Sequence, residues 1–142
     1  MNIADCVLFL YPDAKPLVDF EVMDRGDGQY ISMWHLSAPQ PTQAELEAAW
    51  LPALKAKKIT DVKTEAARRI DAVFSDWKAR RHRDQLELGV ATTLTAAEYA
   101  EKQQKCQAIR DASGTIEAEI QALTDPAFVE SFNVKNDPAW PV

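Results

Sequence analysis

Histidine and cysteine side chains, which bind zinc and act in nucleophilic catalysis, are few and widely spaced in this chain. The histidines are His35 and His82, and the cysteines are Cys6 and Cys106. Neither histidine has a second one at ligand spacing and no cysteine pair accompanies them, so the pattern argues against a zinc site. A Cys–His dyad stays open, because separation along the sequence does not exclude it. We expect no metal and no cofactor, and we interpret both cysteines as buried thiols, since disulfide scaffolds are cysteine-dense.

Two patterns associated with nucleotide chemistry have structural interpretations. The tripeptide "HRD", His82 to Asp84, resembles a kinase catalytic loop, but it lies in a charged helical segment without a glycine-rich loop or an Asp-Phe-Gly motif. Gly26 and Gly28 suit a hairpin turn, and Gly89 ends a predicted helix. Gly114 lies inside the last long helix, where it costs about 1 kcal/mol relative to alanine and marks a close backbone approach or a break. No glycine is left for a phosphate-binding loop. Because none of the histidine, cysteine or glycine patterns forms a catalytic motif, we expect a protein that is not an enzyme.

The stretch "WKARRHR", Trp77 to Arg83, is a dense run of positive charge in a chain of net charge −6. It lies in the basic segment 55–92, whereas both flanking segments are acidic. One interpretation is a phosphate-binding patch. A second is a solvated basic surface late in a helix, where cations suit the helix dipole. A third is contact with the acidic N-terminal part, within the chain or between subunits. We favour the second, because the net charge argues against bulk nucleic-acid binding.

The four tryptophans separate into predicted core residues and candidate anchors for a partner protein. Trp50 and Trp77 fall on apolar helix faces, which predicts that they are buried. Trp140 stands between two prolines, so it either tucks back onto the fold or anchors a partner. The candidate partner-binding residues combine this tryptophan with two aromatic residues of a predicted hairpin and two arginines of the basic run: Trp140, Trp34, Tyr30, Arg80 and Arg81.

The N-terminal part has the pattern of a small β-structure. The apolar run "VLFLY", residues 7–11, is stopped by Pro12 and predicts a strand. Residues 20–25 and 29–35 predict a β-hairpin, with Asp27-Gly28 as a two-residue type I′ turn. Strand alternation places Tyr30 and Trp34 on one face and the residues between them, Ile31 and Met33, on the other.

Two capping boxes mark the starts of the long helices. Thr42 and Glu45 follow the proline-rich "SAPQP" and predict a helix start, with Leu46, Ala49 and Trp50 on its apolar face. Pro52 is either a kink or the first position of a new turn. Thr95 and Glu98 form the second box.

Residues 60–88 predict one amphipathic helix ended by Gly89, and a second helix runs to about Leu123. Their apolar stripes comprise Val62, Ala66, Ile70, Val73, Phe74 and Trp77 in the first helix, and Tyr99, Cys106, Ile109, Ile116, Ile120 and Leu123 in the second. The two helices predict an antiparallel αα-hairpin. An isolated αα-hairpin would bury only the seam where these two apolar stripes meet. We therefore expect the hairpin to dock onto another part of the protein or to self-associate.

These elements predict an α+β fold: a small antiparallel β-hairpin with a packed helix, followed by a long antiparallel αα-hairpin. We divide the chain into residues 1–56, residues 57–125 and an irregular tail, residues 126–142. The first residues lack the basic region of a signal peptide, and no stretch approaches the ~20 apolar residues of a membrane span. We therefore expect a cytosolic protein that does not bind membranes.

Residues 11–50 resemble the XkdW family of prophage proteins, whose genes lie among phage tail genes. The matching features are Tyr11-Pro12, Asp19-Phe20, the Asp/Gly turn before Tyr30-Ile31, Trp34 with Leu36, and "PTQAELE" from Pro41. The helices that end in "PAWPV" are similar in layout to phage tail-fibre assembly chaperones. The resemblance implies a small β-hairpin-plus-helix domain.

The same resemblance implies a non-enzymatic phage protein that helps to assemble or decorate a tail fibre. Such a protein would act in the cytoplasm of the bacterial host and bind the fibre through its hairpin edge, its helical seam or its tail. The seam could also form a homo-oligomer. An alternative is a structural tail or baseplate component of the virion. A third expectation, from another class, is a small hydrolase, which would need convergent polar groups in a concave pocket.

Overall fold

The computed structural model describes residues 1–141 and contains one two-stranded antiparallel sheet and several helices, which confirms the α+β class. In chain order the elements are α1 (Ile3–Leu10), β1 (Phe20–Asp24), β2 (Gln29–Trp34), α2 (Gln43–Val73), α3 (Trp77–Glu87), α4 (Ala96–Ala122), α5 (Pro126–Ser131) and a short 3-10 helix (Val134–Asn136). Over these residues, no helix combines the length and the apolar character needed to cross a membrane.

The chain divides into two compact units. The first comprises residues 1–58 and residues 123–132, and the second comprises residues 59–122 together with the described residues from Asn133 onward. The long helix α2 contributes residues to both units.

The first element is a helix, so the prediction of a strand over residues 7–11 is wrong. Asn2 caps α1 by accepting a hydrogen bond from the Asp5 amide at 3.2 Å. Ile3, Cys6 and Val7 are buried at the three- and four-residue spacing of one helix face. Periodicity alone does not distinguish a short apolar run in a strand from one in a helix, and here the run belongs to a capped helix with one buried face.

The hairpin of β1 and β2 is present as predicted, but a bulge changes which side chains share a face. Glu21 pairs with Met33 and Val22 pairs with Ile31, so Ser32 is the extra residue in β2. Its hydroxyl donates to the Glu21 carboxylate at 2.9 Å. As a result Ile31 and Trp34 both pack against the core of the first unit. The prediction that Tyr30 and Trp34 share one face is therefore wrong.

The loop of the hairpin has four residues, because Asp24 pairs with Gln29. Gly26 and Gly28 adopt φ values of +93° and +135°, whereas Asp27 is not among the residues with positive φ. A type I′ turn needs positive φ at both central residues, so the predicted two-residue turn at Asp27-Gly28 is wrong. The two glycines still supply the unusual backbone conformations that the reversal requires.

Helix α2 begins at the first predicted capping box. The Thr42 amide and hydroxyl donate to the Glu45 carboxylate at 2.7 and 2.8 Å, and the Glu45 amide donates to the Thr42 hydroxyl at 3.3 Å. Pro52 lies inside this 31-residue helix and not at the start of a new one.

The first turns of α2 complete the hydrophobic core of the first unit. This core consists of Ile3, Cys6, Val7, Ala14, Phe20, Leu46 and Ala49, with Trp50 packed against it and half-buried. Burial raises the pKa of the Cys6 thiol. The prediction that Leu46 and Trp50 pack on the β-hairpin module is confirmed.

Residues 60–88 form two helices and not the single helix that was predicted. Helix α2 already begins at Gln43 and ends at Val73, and α3 begins after Asp76, whose carboxylate accepts from the Lys78 amide at 3.0 Å. The break leaves Trp77 60% exposed, so the prediction that it is a core residue is wrong. Gly89 ends α3 as predicted, with φ of +66°.

Helix α4 begins at the second predicted capping box, where the Thr95 amide and hydroxyl each donate to Glu98 at 2.8 Å. Its predicted stripe is buried at Cys106, Ile109, Ile116 and Ile120. Both cysteines are free and buried, as expected. Gly114 lies within the continuous helix, and nothing lies within 4 Å of the Cβ that alanine would add there. It therefore marks neither a break nor a close backbone approach.

The carboxyl end of α2 lies against the first turns of α4, as an antiparallel pair requires. The Lys102 ammonium donates to the Val73 carbonyl at 3.1 Å. The ring centroids of Phe74 and Tyr99 are 6.1 Å apart.

The segment after α4 is more ordered than the irregular tail that was predicted. Helix α5 starts at Pro126, with Asp125 as its N-cap, and a 3-10 helix covers Val134–Asn136. The last residue of the predicted tail, Val142, lies outside the described residues.

Candidate partner-binding surfaces

Trp140 packs into the second unit. Of the two alternatives that the sequence left open, packing back onto the fold and anchoring a partner, the structure shows the first. Its side chain is 5% exposed, and its indole N–H donates to the Val134 carbonyl at 2.7 Å. The Arg69 guanidinium lies 4.9 Å from the centroid of its ring. A side chain held in this way does not present its ring to a partner in this structure.

Arg69 belongs to a cluster that ties the 3-10 helix to α2. Its guanidinium donates to the Lys135 carbonyl at 2.9 Å and to Glu65 at 2.8 Å. Arg68 donates to the same buried carboxylate at 2.6 and 2.8 Å. Hydrogen bonds from Arg68 first, and then from Arg69, lower the pKa of Glu65 to about 2 despite its burial. The cluster therefore has a structural role that accounts for its charges.

The two aromatic candidates of the hairpin have different surroundings. Trp34 packs on the core, donates its indole N–H to the Ala38 carbonyl at 2.8 Å, and meets the Tyr11 ring edge-to-face at 5.3 Å. Tyr30 instead lies under the Arg25 guanidinium, 4.1 Å from the ring centroid. Trp34 is therefore an architectural residue of the sheet, whereas Tyr30 belongs to a cation–π pair on the hairpin.

The basic run forms the first two turns of α3, with Arg80 and Arg81 exposed. Its cations therefore do not lie at the carboxyl end of a helix, and the interpretation based on the helix dipole is wrong. Arg80 donates to the Phe74 carbonyl at 3.4 Å. These arginines and Trp140 belong to the second unit, whereas Tyr30 and Trp34 belong to the first. The five candidates thus do not form one site within one unit.

Sequence reasoning missed a rigid loop that presents apolar side chains between α1 and β1. We call residues 15–19 the apolar loop. Its first amide, that of Lys15, donates to the Asp19 carboxylate at 2.8 Å, and the Asp19 amide donates to the Lys15 carbonyl at 2.8 Å. The His35 amide donates to the Asp19 carbonyl at 2.7 Å. Hydrogen bonds thus close the loop on itself and fix it to the chain that leaves β2.

Leu17 and Val18, at the centre of the apolar loop, are 76% and 60% exposed. Leu17 is the one non-glycine residue with positive φ, at +66°, among residues 1–141. A left-handed backbone costs a residue with a Cβ about 1–2 kcal/mol. The Leu17 amide donates to the Phe20 carbonyl at 2.8 Å, which holds this conformation. Neither side chain contributes to the core, so folding does not account for two apolar residues at this position.

Other exposed apolar side chains of the first unit are Phe9, Leu10 and Met23. A contiguous exposed apolar patch marks an interaction site, and Leu17 and Val18 are adjacent in the apolar loop. The signal in the sequence was the pair Leu17-Val18 between Pro16 and Asp19, where a turn would carry polar residues. Within the described residues, no group of three or more histidines, cysteines or carboxylates could hold a metal ion.

Comparisons with known proteins concern this same module. A family model described as XkdW protein matches residues 3–58. In Bacillus subtilis (strain 168), the uncharacterized protein YqcD is 50% identical over 52 residues, which cover 35% of this chain and 47% of that protein. The phage-like element PBSX protein XkdW of the same strain is 48% identical over 50 residues, which cover 35% of this chain and 46% of that protein.

A solution NMR structure of the PBSX protein XkdW matches with 48% identity and a TM-score of 0.33, and it covers 35% of this chain and 83% of the other. The chain spans about half the length of the curated relatives it matches.

Proposed function

Residues 3–58 belong to the XkdW family, as their resemblance predicted, and on this premise we propose that this phage or prophage protein is a non-enzymatic accessory of tail-fibre assembly. The apolar loop of the XkdW module would bind a tail fibre or another tail protein. Binding would take place in the cytoplasm of the bacterial host while the phage assembles. The observation that carries the proposal is the exposure of Leu17 and Val18 on a loop that hydrogen bonds hold rigid.

The apolar loop is both ordered and exposed, and this combination favours binding of a partner protein over a purely solvated role. A branched side chain in the left-handed region stores strain, and such strain concentrates at binding and active sites. Because the loop is already ordered, a partner that buries Leu17 would not have to order it, so little of the binding free energy would be lost. Burying a leucine and a valine side chain contributes about 1.5–3 kcal/mol each, which is enough for an interface anchor.

The test compares two charge substitutions at equally exposed leucines. Leu17→Asp places a carboxylate at the centre of the apolar loop, and Leu88→Asp places one on a leucine of the second unit that is 75% exposed. We expect both variants to melt like the wild type. The first should lose binding to purified tail fibre by at least tenfold in isothermal titration calorimetry, whereas the second should keep it. Equal affinities for the two variants would contradict a role for the loop.

Purified virions distinguish an assembly factor from a structural component of the tail. We expect quantitative mass spectrometry to find the chain in lysates of producing cells at the time of assembly, and to find it depleted from purified particles. Stoichiometric amounts in the particles would instead favour the structural tail or baseplate component.

A further inference from the structure

Trp77, Arg80 and Arg81 form an exposed face of α3, which we call the α3 face and which the proposed function does not use. They follow one another at the three- and four-residue spacing of one side of a helix, and all three are exposed. Ala79 and His82, which are buried, lie on the opposite side of the same helix. The α3 face therefore points away from the packed interior of the second unit.

Folding does not account for the composition of the α3 face. Trp77 is 60% exposed, although burial of an indole would stabilise the fold. Among residues 1–141, no carboxylate forms an ion pair with Arg80 or Arg81, and Arg80 reaches the Phe74 carbonyl at a long 3.4 Å. Both arginines lie in the first two turns of the helix, where the helix dipole disfavours cations. The indole and the two guanidiniums are thus available to a partner.

The α3 face is basic but short, which argues against nucleic acid or a membrane as its partner. Exposed carboxylates bound it, with Asp76 before it and Asp84 and Glu87 after it. The helix rises by only about 12 Å between Asp76 and Asp84. Nucleic acids and anionic membranes carry negative charge over a longer span, so they would approach these carboxylates as well. A compact anionic group fits the face better.

The residue types of the α3 face favour a protein as the source of that anionic group. A guanidinium binds a carboxylate through two parallel hydrogen bonds. Tryptophan and arginine are enriched among the few residues that supply most of the binding free energy at protein–protein interfaces. We propose that the α3 face binds an acidic segment of a partner protein, with an apolar side chain on the Trp77 ring and carboxylates on Arg80 and Arg81.

Three capped pentapeptides test this assignment on the full chain by NMR titration. Glu-Glu-Leu-Glu-Glu carries both features, Gln-Gln-Leu-Gln-Gln lacks the carboxylates, and Glu-Glu-Ser-Glu-Glu lacks the apolar side chain. We expect the first peptide to cause saturable shifts at Trp77, Arg80 and Arg81, and to bind at least about fivefold more tightly than either of the others. A folded chain that shows no saturable shifts with the first peptide, or equal affinities for all three, would overturn the proposal. Tighter binding of oligothymidylate or of phosphatidylglycerol vesicles would assign the face to nucleic acid or to a membrane and would overturn it too.

Arg81→Gln and Arg110→Gln are a matched pair, because each removes one exposed arginine of the second unit. We expect both variants to melt like the wild type, as exposed substitutions do. Arg81→Gln should weaken binding of Glu-Glu-Leu-Glu-Glu about threefold, the effect of one exposed ion pair, whereas Arg110→Gln should leave it unchanged. Trp77→Ala should abolish the preference for the leucine peptide over the serine peptide. Equal weakening by the two arginine variants would reduce the interaction to net charge and refute a specific site on α3.

Discussion

Trp140→Ala is expected to destabilise the second unit severely, because the structure buries this tryptophan. Truncation of a buried aromatic side chain costs about 3–5 kcal/mol. Within that loss, the indole hydrogen bond to the Val134 carbonyl contributes about 1 kcal/mol, and the Arg69 cation–π contact contributes about 0.5–1 kcal/mol. For a chain of this size, a loss of 3–5 kcal/mol lowers Tm by roughly 10–17 °C. Differential scanning calorimetry measures the shift directly.

Trp77→Ala is the matched control, since it removes the same side chain from a position that is 60% exposed in the same unit. We expect it to change stability by less than about 0.5 kcal/mol, as exposed substitutions do. Trp140→Phe should fall between the two, because it keeps most of the ring but leaves the Val134 carbonyl without its donor. Equal melting temperatures for Trp140→Ala and Trp77→Ala would refute the packing of the C-terminal segment and restore Trp140 as a candidate anchor.

Four further changes test local features of the fold. Thr42→Ala removes the cap of α2 and should cost about 1 kcal/mol in urea unfolding, whereas an unchanged midpoint would contradict the capping box. Gly114→Ala should add up to about 1 kcal/mol, because the helix is continuous and the new methyl group meets nothing within 4 Å; a lower Tm would refute this. Gly28→Val forces a branched residue to φ of +135° and should cost more than about 1 kcal/mol, so wild-type stability would count against the hairpin loop. Hydrogen bonds from Arg68, and then from Arg69, lower the pKa of the Glu65 carboxyl from 4.5 to about 2. The ionised Glu65 carboxylate therefore stabilises the fold fully above about pH 4.5, and this stabilisation is lost as the pH falls toward 2. Between pH 4.5 and pH 2 the Tm of the Glu65→Gln variant should therefore fall less than that of the wild type. An identical pH dependence of Tm in the wild type and the variant would show that Glu65 does not contribute this stabilisation.

Features that depend on neighbouring residues in the sequence were predictable, and features that depend on distant ones were not. The capping boxes at Thr42 and Thr95 need a hydroxyl and a carboxylate three residues apart, so the sequence contains all of the information. The strands β1 and β2 likewise follow from composition and from the glycines between them. The bulge at Ser32 depends on how two strands pair, and no single strand encodes it.

The candidate site was predicted less well than the fold, and Trp140 shows why. A tryptophan between prolines has the same local pattern whether it packs inward or binds a partner, and the contacts that bury it come from Val134 and Arg69. The apolar loop is the reverse case, because it was not a candidate in the sequence and became one in the structure. No role was assigned to Leu17 and Val18 from the sequence, and only the backbone geometry and exposure identify them as candidates. The misassignment of α1 arose from length, since five apolar residues suit either a strand or a helix.

The most direct test of the central claim is site-specific photo-crosslinking at the apolar loop in cells that are producing phage. A benzophenone amino acid replaces Leu17 in one strain and Leu88 in another, and crosslinked partners are identified by mass spectrometry. We expect the Leu17 strain to give one dominant adduct with a phage tail protein and the Leu88 strain to lack it. No tail-protein adduct at Leu17, or the same adduct at both positions, would contradict the claim that this loop binds the phage tail.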